Sequence, residues 1–166
     1  MREILFRGKR VDNGEWVEGG LCDYDSGVSI FVVNHYDGDL YEPPYTDLDE
    51  IEVVPETVGQ YTGLVDKDNE RIFTGDILKY TRKNCHNVYE KEFETFFKGG
   101  DLVTYLEIYY DDTCAAFKFR HYDENKKLFG SGFLIFNDSR ADENILEIIG
   151  NIHDNPELLE EKKNVQ

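Results

Sequence analysis

Short apolar runs recur along the chain and are separated by turn-forming residues. Ile4 to Phe6 and Trp16 to Val17 flank Asp12-Asn13-Gly14, and Asn-Gly is the preferred pair where both central turn residues need positive φ. Asp25-Ser26-Gly27 repeats this arrangement between the next two apolar runs. The N-terminal pattern therefore predicts two β-hairpins in succession.

The region between residues 53 and 80 is predicted to contain two further reversals. A polar loop from Asp66 to Glu70 separates two apolar runs, and its Asx side chains can bond their own backbone. Gly75-Asp76 then interrupts the apolar pattern, which resumes at Ile77 with strand-like spacing. This segment is interpreted as a hairpin followed by a second turn.

Two segments have helical patterns. Aromatic residues at positions i, i+4, i+7 and i+8 predict an amphipathic helix over residues 86–98, which ends at Gly99-Gly100; they are Tyr89, Phe93, Phe96 and Phe97. Asn155-Pro156 is typical of an N-cap and a first helical residue, and it predicts a short helix that reaches Lys163.

The other apolar runs of the second half favour strands, at 102–110, 115–121, 127–129, 133–136 and 145–149. Nine or more short strands with closely spaced turns predict a mainly β protein with minor α content, an antiparallel small barrel or sandwich. The segment from Gly75 to His153 has the strand count of an SH3-like barrel with the 86–98 helix inserted. No βαβ rhythm is present, which excludes a Rossmann-type cleft.

The domain organisation has two interpretations. In the first, residues 1–52 form an N-terminal β-hairpin unit with an acidic loop, and residues 53–166 form a barrel-like unit. In the second, strands pair across this boundary and residues 1–166 form one continuous domain.

The composition, 40% hydrophobic and 14% aromatic over 166 residues, is sufficient for a packed core. No apolar run approaches the roughly 20 residues of a membrane span, and Arg2, Glu3, Arg7 and Lys9 interrupt the region where a signal peptide would be apolar. Three widely spaced cysteines are interpreted as reduced thiols. We therefore expect a protein of the bacterial host cytoplasm without a membrane partner.

The formal net charge of -17 is unevenly distributed. Lys and Arg are absent from Val11 to Asp66, a stretch with fourteen carboxylates, whereas the first ten residues have a net charge of +3. Such a field repels nucleic acid phosphates and attracts cationic partners. Direct nucleic acid binding is thus disfavoured, and the alternatives for the acidic stretch are a basic host protein as partner or simple solubility.

The segment from Tyr36 to Glu50 is predicted to be an extended loop, because it contains Gly38 and Pro43-Pro44, lacks periodicity and is strongly acidic. Carboxylates beside aromatic rings are typical of protein interfaces. The candidate partner-binding residues are Asp37, Asp39, Tyr41, Glu42, Tyr45, Asp47, Asp49 and Glu50.

Motifs for catalysis, metal binding or cofactor binding are weak or absent. Cys85 and His86 are adjacent and would point to opposite faces of a strand, with no second pair at zinc-ligand spacing. Asp66, Asp68 and Glu70 alternate like calcium ligands, but Arg71 stands where an EF-hand requires Gly. No P-loop, GxGxxG or GxSxG motif occurs. We therefore predict no metal, no cofactor and no catalytic residue.

Four sequence blocks resemble the YopX family of phage and prophage proteins. They are the opening, residues 1–7 with 13–17, the central PETVGQYTGL at 55–64, the short GDI at 75–77, and the closing IGNIHDNPELL at 149–159. The resemblance implies a phage or prophage protein and brings no activity with it. Within these blocks we interpret five residues as structural, the glycines through backbone freedom and the aspartate through a turn bond; they are Gly59, Tyr61, Gly63, Gly75 and Asp76.

The sequence favours a non-enzymatic accessory protein that binds a partner or associates with itself as a homo-oligomer. A first alternative is an acidic nucleic-acid mimic, in which the carboxylates between Asp37 and Glu56 occupy a host DNA-binding protein. A second alternative is a carboxylate-dependent hydrolase, for which the sequence selects no particular pair among thirty-five acids.

Overall fold

Antiparallel β-strands make up most of this computed structural model. It describes residues 3–25, 27–37, 45–85, 89–90, 95–96, 100–123, 125–133 and 144–160. The chain divides into two compact units, residues 1–63 and 64–166. The prediction of a mainly β, antiparallel protein is confirmed.

The strands of the first half are β1 (Phe6–Lys9), β2 (Trp16–Tyr24), β3 (Gly27–Tyr36), β4 (Tyr45–Val53), β5 (Gly59–Val65) and β6 (Arg71–Phe73). Those of the second half are β7 (Asp76–Cys85), β8 (Tyr89–Glu90), β9 (Thr95–Phe96), β10 (Gly100–Asp111), β11 (Ala116–Tyr122), β12 (Leu128–Phe133) and β13 (Asn144–Asn151). Among the described residues, short 3-10 helices occupy Pro55–Thr57 and Pro156–Leu159.

The first sheet has the strand order β4-β3-β2-β1-β5-β6. Both predicted N-terminal hairpins are present, since β1 pairs with β2 and β2 pairs with β3 in antiparallel register. Gly14 has a φ of 73°, whereas Asn13 does not have positive φ, so the turn contains one left-handed residue and not the two expected of an Asn-Gly pair. Ile30 on β3 and Val53 on β4 are almost completely buried, and they form the apolar centre of this unit.

The second sheet has the order β12-β11-β10-β7-β13. The core of the second unit consists of Ile72 on β6, Leu78 on β7, and Leu106 and Ile108 on β10, each no more than 2% exposed. Burying a side chain of this size contributes about 1.5–3 kcal/mol. β12 and β13 are the two edges of this order. Within the described residues these two edge strands do not pair with each other, so the sheet is open and differs from the closed SH3-like barrel that the strand count suggested.

Two buried carboxylates stabilise the turns of the central motif. Asp66 Oδ1 accepts hydrogen bonds from the backbone N–H groups of Asp68 (2.8 Å) and Glu70 (3.0 Å). Its other oxygen, Oδ2, accepts the N–H of Ile148 at 3.2 Å. Asp66 thus closes the predicted hairpin loop and attaches it to β13. Burial alone would raise the pKa of Asp66, but the three backbone donors outweigh burial and hold the pKa below 3.8.

The second turn has Gly75 and Asp76 at its centre. Asp76 is 1% exposed, and its Oδ2 accepts the backbone N–H of Phe73 at 2.7 Å. Gly75 has a φ of 88°, donates its N–H to the carbonyl of Ile108 at 2.8 Å and accepts the N–H of Ile152 at 2.9 Å. The turn therefore connects β7 to β10 and to the segment after β13.

The other motif residues belong to β5. Gly63 has a φ of 89°, whereas Gly59 is a buried strand residue without positive φ. Tyr61 is 8% exposed, and its N–H donates to the carbonyl of Leu5 at 2.8 Å. Backbone freedom therefore explains Gly63 and Gly75 and does not explain Gly59.

The helix predicted over residues 86–98 is wrong for the part that the structure describes. β8 and β9 lie in this segment and pair in register, with Tyr89 opposite Phe96 and Glu90 opposite Thr95. Residues at i and i+7 lie on one face of a helix. They can equally be paired residues of a hairpin that has six residues between them. Tyr, Phe and Thr have high strand propensity, which favours the hairpin. Residues 86–88, 91–94 and 97–99 lie outside the described residues.

The C-terminal helix is shorter than predicted. Asn155 precedes Pro156 at the first helical position, as expected, but the segment is a 3-10 helix that ends at Leu159, and Glu160 is extended. The part predicted to continue to Lys163 lies outside the described residues.

The loop predicted from Tyr36 to Glu50 is wrong at its C-terminal end, because β4 begins at Tyr45. β4 pairs with β3 along its full length, from Tyr36↔Tyr45 to Val28↔Val53. The apolar β3 provides the hydrogen bonds and packing that offset the low strand propensity of the acids. Residues 38–44 lie outside the described residues. The predicted boundary at 52/53 falls at the end of β4, whereas the division of the chain into two compact units lies between Gly63 and Leu64.

Among the described residues, no helix has the length and hydropathy needed to cross a membrane.

Removing the Asp76 carboxylate should destabilise the fold. Asp76→Ala leaves the buried N–H of Phe73 without its acceptor, and we expect the free energy of unfolding to fall by about 1–3 kcal/mol. Chemical denaturation measures this value. Asp112→Ala is the control, because Asp112 is exposed in the turn between β10 and β11; equal stability of the two variants would contradict the role of Asp76.

The ionised form of Asp66 should stabilise the fold in a pH-dependent way. The pKa of Asp66 in the folded state lies below the usual 3.8. The stabilisation is therefore complete when the pH is above the pKa of the unfolded state, and it disappears as the pH falls through the pKa of the folded state. We expect Asp66→Asn to reduce the loss of unfolding free energy between neutral pH and the acid range. Denaturant titrations at several pH values give the free energy of unfolding as a function of pH. The same pH dependence in the variant and in wild type would contradict the prediction.

Valine at Gly63 or Gly75 should lower the melting temperature. Both positions have positive φ, where a β-branched residue is strained by about 1–3 kcal/mol. Gly20→Val is the matched control, since Gly20 lies in β2 and no atom lies within 4 Å of the position that a Cβ would take there. Thermal unfolding that is the same for all three variants would refute the interpretation.

Candidate functional site

The candidate site lies on β4 and its neighbours in the first unit. Asp47, Asp49 and Glu50 are exposed on this strand, and Asp37 is exposed just after β3. The backbone of Tyr45 pairs with Tyr36 at the start of β4. The other predicted residues, Asp39, Tyr41 and Glu42, lie outside the described residues.

Strand alternation divides the acids of β4 between two faces. Asp47 and Asp49 share one face, where Asn34 Nδ2 donates a hydrogen bond to Asp49 Oδ2 at 2.7 Å. Glu50 and Glu52 share the opposite face with Leu48. Pairing with β3 places Leu48 opposite Val33, and both are more than half exposed, at 58% and 51%.

The second face contains a depression of about 390 Å³. It is lined by Tyr24, Gly27, Ser29, Glu50 and Glu52. The β2–β3–β4 register assembles this lining, because Tyr24 lies opposite Gly27 and Ser29 lies opposite Glu52. The depression therefore combines two carboxylates with a phenol and a hydroxyl.

Tyr24 contributes an exposed polar group to this surface. Its side chain is 45% exposed. The hydrogen bond with Cys22 raises the pKa of Tyr24 to about 12, with further contributions from burial and from the charges of Cys22 and Glu50. Tyr24 is therefore a neutral phenol at physiological pH, with an aromatic ring for contact and a hydroxyl for hydrogen bonding.

The first sheet curls so that one end of β4 is covered. Val11 N–H donates to Glu52 O at 3.0 Å, and Val54 N–H donates to Lys9 O at 2.8 Å. Arg10 and Val53 form an antiparallel bridge between these two bonds. The outer edge of β4 is thus occupied from Glu52 onward.

The described residues include no group of three or more His, Cys, Asp or Glu side chains that could hold a metal ion. The buried carboxylates, Asp66 and Asp76, accept backbone N–H bonds in turns. Their geometry explains turn stability and provides no reacting group.

Charged and aromatic residues also pair on the second sheet. Arg120 donates to Glu107 and lies 4.2 Å from the ring centre of Tyr109. Glu107 also accepts the hydroxyl of Tyr122 at 2.7 Å, and Lys118 pairs with Asp111 at 2.7 Å. These cations neutralise neighbouring carboxylates, in contrast to β4, where the acids have no basic neighbours in sequence.

Sequence reasoning missed Tyr24 and Ser29 as members of the site. Glu52 was not among the candidate partner-binding residues, although it lies within the Asp37 to Glu56 range of the nucleic-acid mimic. Tyr24 and Ser29 join the site through strand register, which composition does not reveal.

The comparison with protein families is decisive over nearly the whole chain. The model of the YopX protein family matches residues 5–160. The chain belongs to the YopX family. The resemblance of the four sequence blocks is therefore confirmed.

One solved structure similar to this YopX-family chain is described as the crystal structure of protein EF1440 from Enterococcus faecalis. The sequence identity is 23% and the TM-score is 0.47, and the match covers 96% of this chain and 100% of that chain. Among curated proteins, none matches.

Proposed function

We propose that this YopX-family protein is a phage or prophage accessory protein that binds another protein in the host cytoplasm and catalyses no reaction. The partner carries a basic segment that contacts the face of β4 around Glu50, Glu52 and Tyr24. The observation that supports this proposal is the depression lined by these side chains, within a stretch of sequence that contains no Lys or Arg.

The chemistry of this face suits a protein partner. Tyr24 provides an aromatic contact, a residue type enriched at interfaces. The exposed pair Val33 and Leu48 provides apolar contact area beside the carboxylates. The negative charge of this face attracts a basic segment and accelerates its association. Recognition would therefore combine electrostatic attraction with contact of a small apolar and aromatic patch.

The geometry favours this binding mode over the nucleic-acid mimic. A mimic presents its charges together, in the way that phosphates follow a duplex. Alternation instead places Asp47 and Asp49 on one face of β4 and Glu50 and Glu52 on the other. Each face thus offers a pair of charges, which suits a few basic side chains of a peptide segment.

The geometry also favours binding over a carboxylate-dependent hydrolase. Glu50 and Glu52 line the same open depression from one strand, and both are exposed. A general acid in glycoside hydrolysis works in a desolvated setting that keeps it protonated near neutral pH. An exposed strand does not provide this setting.

Neutralising the face should abolish binding of the basic partner. We expect the double variant Glu50→Gln with Glu52→Gln to lose proteins that wild type captures from a bacterial lysate at low salt. We also expect raised salt to release the same proteins from wild type, because exposed charges are screened beyond about 8 Å at physiological ionic strength. Mass spectrometry of the captured proteins provides the measurement.

The control variant combines Asp112→Asn with Glu157→Gln, which removes the same charge from exposed positions of the second unit. It should capture the wild-type set. Identical sets for all three proteins would show that the acids serve only solubility. Release of a captured DNA-binding protein by competing duplex DNA would instead support the mimic.

A further inference from the structure

β4 is an edge strand of the first sheet, with β3 as its neighbour on one side. Glu52 O and Val54 N–H point away from β3, because both bond to the Lys9–Val11 segment. Backbone groups alternate in direction along an antiparallel strand. The N–H and C=O groups of Thr46, Leu48 and Glu50 therefore also point outward, whereas those of Asp47 and Asp49 point to β3.

A side-chain contact independently supports this assignment. Leu48 N–H donates to Asp47 Oδ1 at 2.9 Å, so this amide is not part of the ladder with β3. His35 Nδ1 and Thr46 Oγ1 lie 3.0 Å apart, as expected for side chains of a non-hydrogen-bonded pair, which approach each other closely. For the described residues, the outer edge of β4 from Thr46 to Glu50 thus has no strand beside it.

Charge selects the occupant of this edge. A second copy of β4 would place Asp47, Asp49, Glu50 and Glu52 beside an identical row of acids, and like charges on neighbouring strands destabilise pairing. A strand with Lys or Arg at alternate positions would instead place these side chains beside the two carboxylates of one face of β4. The edge therefore disfavours self-pairing and favours a basic segment.

We propose that β4 binds its partner by strand addition: an extended basic peptide segment pairs with the outward backbone groups of Thr46, Leu48 and Glu50. Main-chain hydrogen bonds provide affinity in this mode, and alternate side chains provide specificity. The inference rests on the proposed function and adds the conformation of the bound segment. On strand addition the Leu48 amide exchanges its hydrogen bond to Asp47 Oδ1 for one to a carbonyl of the added strand.

Leu48→Pro tests the proposal, because it removes one outward N–H and leaves the ladder with β3 intact; proline is tolerated at such edge positions. Leu48→Ala is the matched control, since it also loses the side chain but keeps the N–H. The probe is a short capped peptide of alternating lysine and valine, with a glutamate–valine peptide for comparison. We expect the proline variant to bind the lysine peptide about tenfold more weakly than the alanine variant. Circular dichroism and thermal unfolding verify that both variants are folded.

Amide hydrogen exchange gives a second, independent measurement on the wild-type protein. The lysine peptide should slow exchange at Thr46, Leu48 and Glu50 and leave Asp47 and Asp49 unchanged, since the latter amides already bond to β3. Equal protection at all five positions, or none, would overturn strand addition. Two further peptides carry N-methyl groups on the odd-numbered or on the even-numbered amides. We expect one of the two to lose the protection of Thr46, Leu48 and Glu50, because its methyl groups replace the N–H groups that would bond to β4.

The two proposals fail in different ways. If Glu50→Gln with Glu52→Gln abolishes capture of basic proteins while Leu48→Pro binds the peptide as well as Leu48→Ala does, the acidic face binds partners without strand addition. If the glutamate peptide binds as tightly as the lysine peptide, charge does not select the occupant and the proposed strand is wrong.

Discussion

The second unit depends on the buried carboxylate of Asp76. Its hydrogen bond to the Phe73 amide holds the turn at Gly75, and Gly75 in turn bonds to Ile108 and Ile152. β6, β10 and the segment after β13 are thereby placed around the start of β7, where Ile77 and Leu78 are completely buried. A charged group is costly inside a protein unless it is hydrogen-bonded, so the backbone donor and the carboxylate stabilise each other.

Asp66 uses the same chemistry at the neighbouring hairpin, and Asp76 lies within one of the four blocks that carry the YopX resemblance. In the central blocks, Gly63 and Gly75 have positive φ, Tyr61 is buried, and Asp76 accepts a backbone N–H group. These features specify a backbone path. The family signature is therefore evidence about the fold, and the chemistry of binding has to be sought in the exposed strands.

The first unit uses its carboxylates differently. On β4 the acids are exposed and have no basic neighbours in sequence, so their charge acts on the surroundings of the protein. The same charge would keep the edge from Thr46 to Glu50 from pairing with other copies of itself, a common protection of edge strands. A basic strand would gain from this arrangement, which links the composition of β4 to the proposed mode of binding.

The sequence by itself determined the local structure wherever one pattern has one physical meaning. Asn13-Gly14 required a tight turn, the Asx residues from Asp66 to Glu70 required a closed loop, and alternation in the second half required strands. The aromatic spacing around Tyr89 and Phe96 did not decide between a helix and a hairpin, because both bring these residues to one side. Likewise, the acids of β4 concealed a strand whose partner, β3, supplies the pairing energy. Only the tertiary structure decided that Tyr24 and Ser29 join Glu50 and Glu52, since strand register depends on contacts between residues distant in sequence.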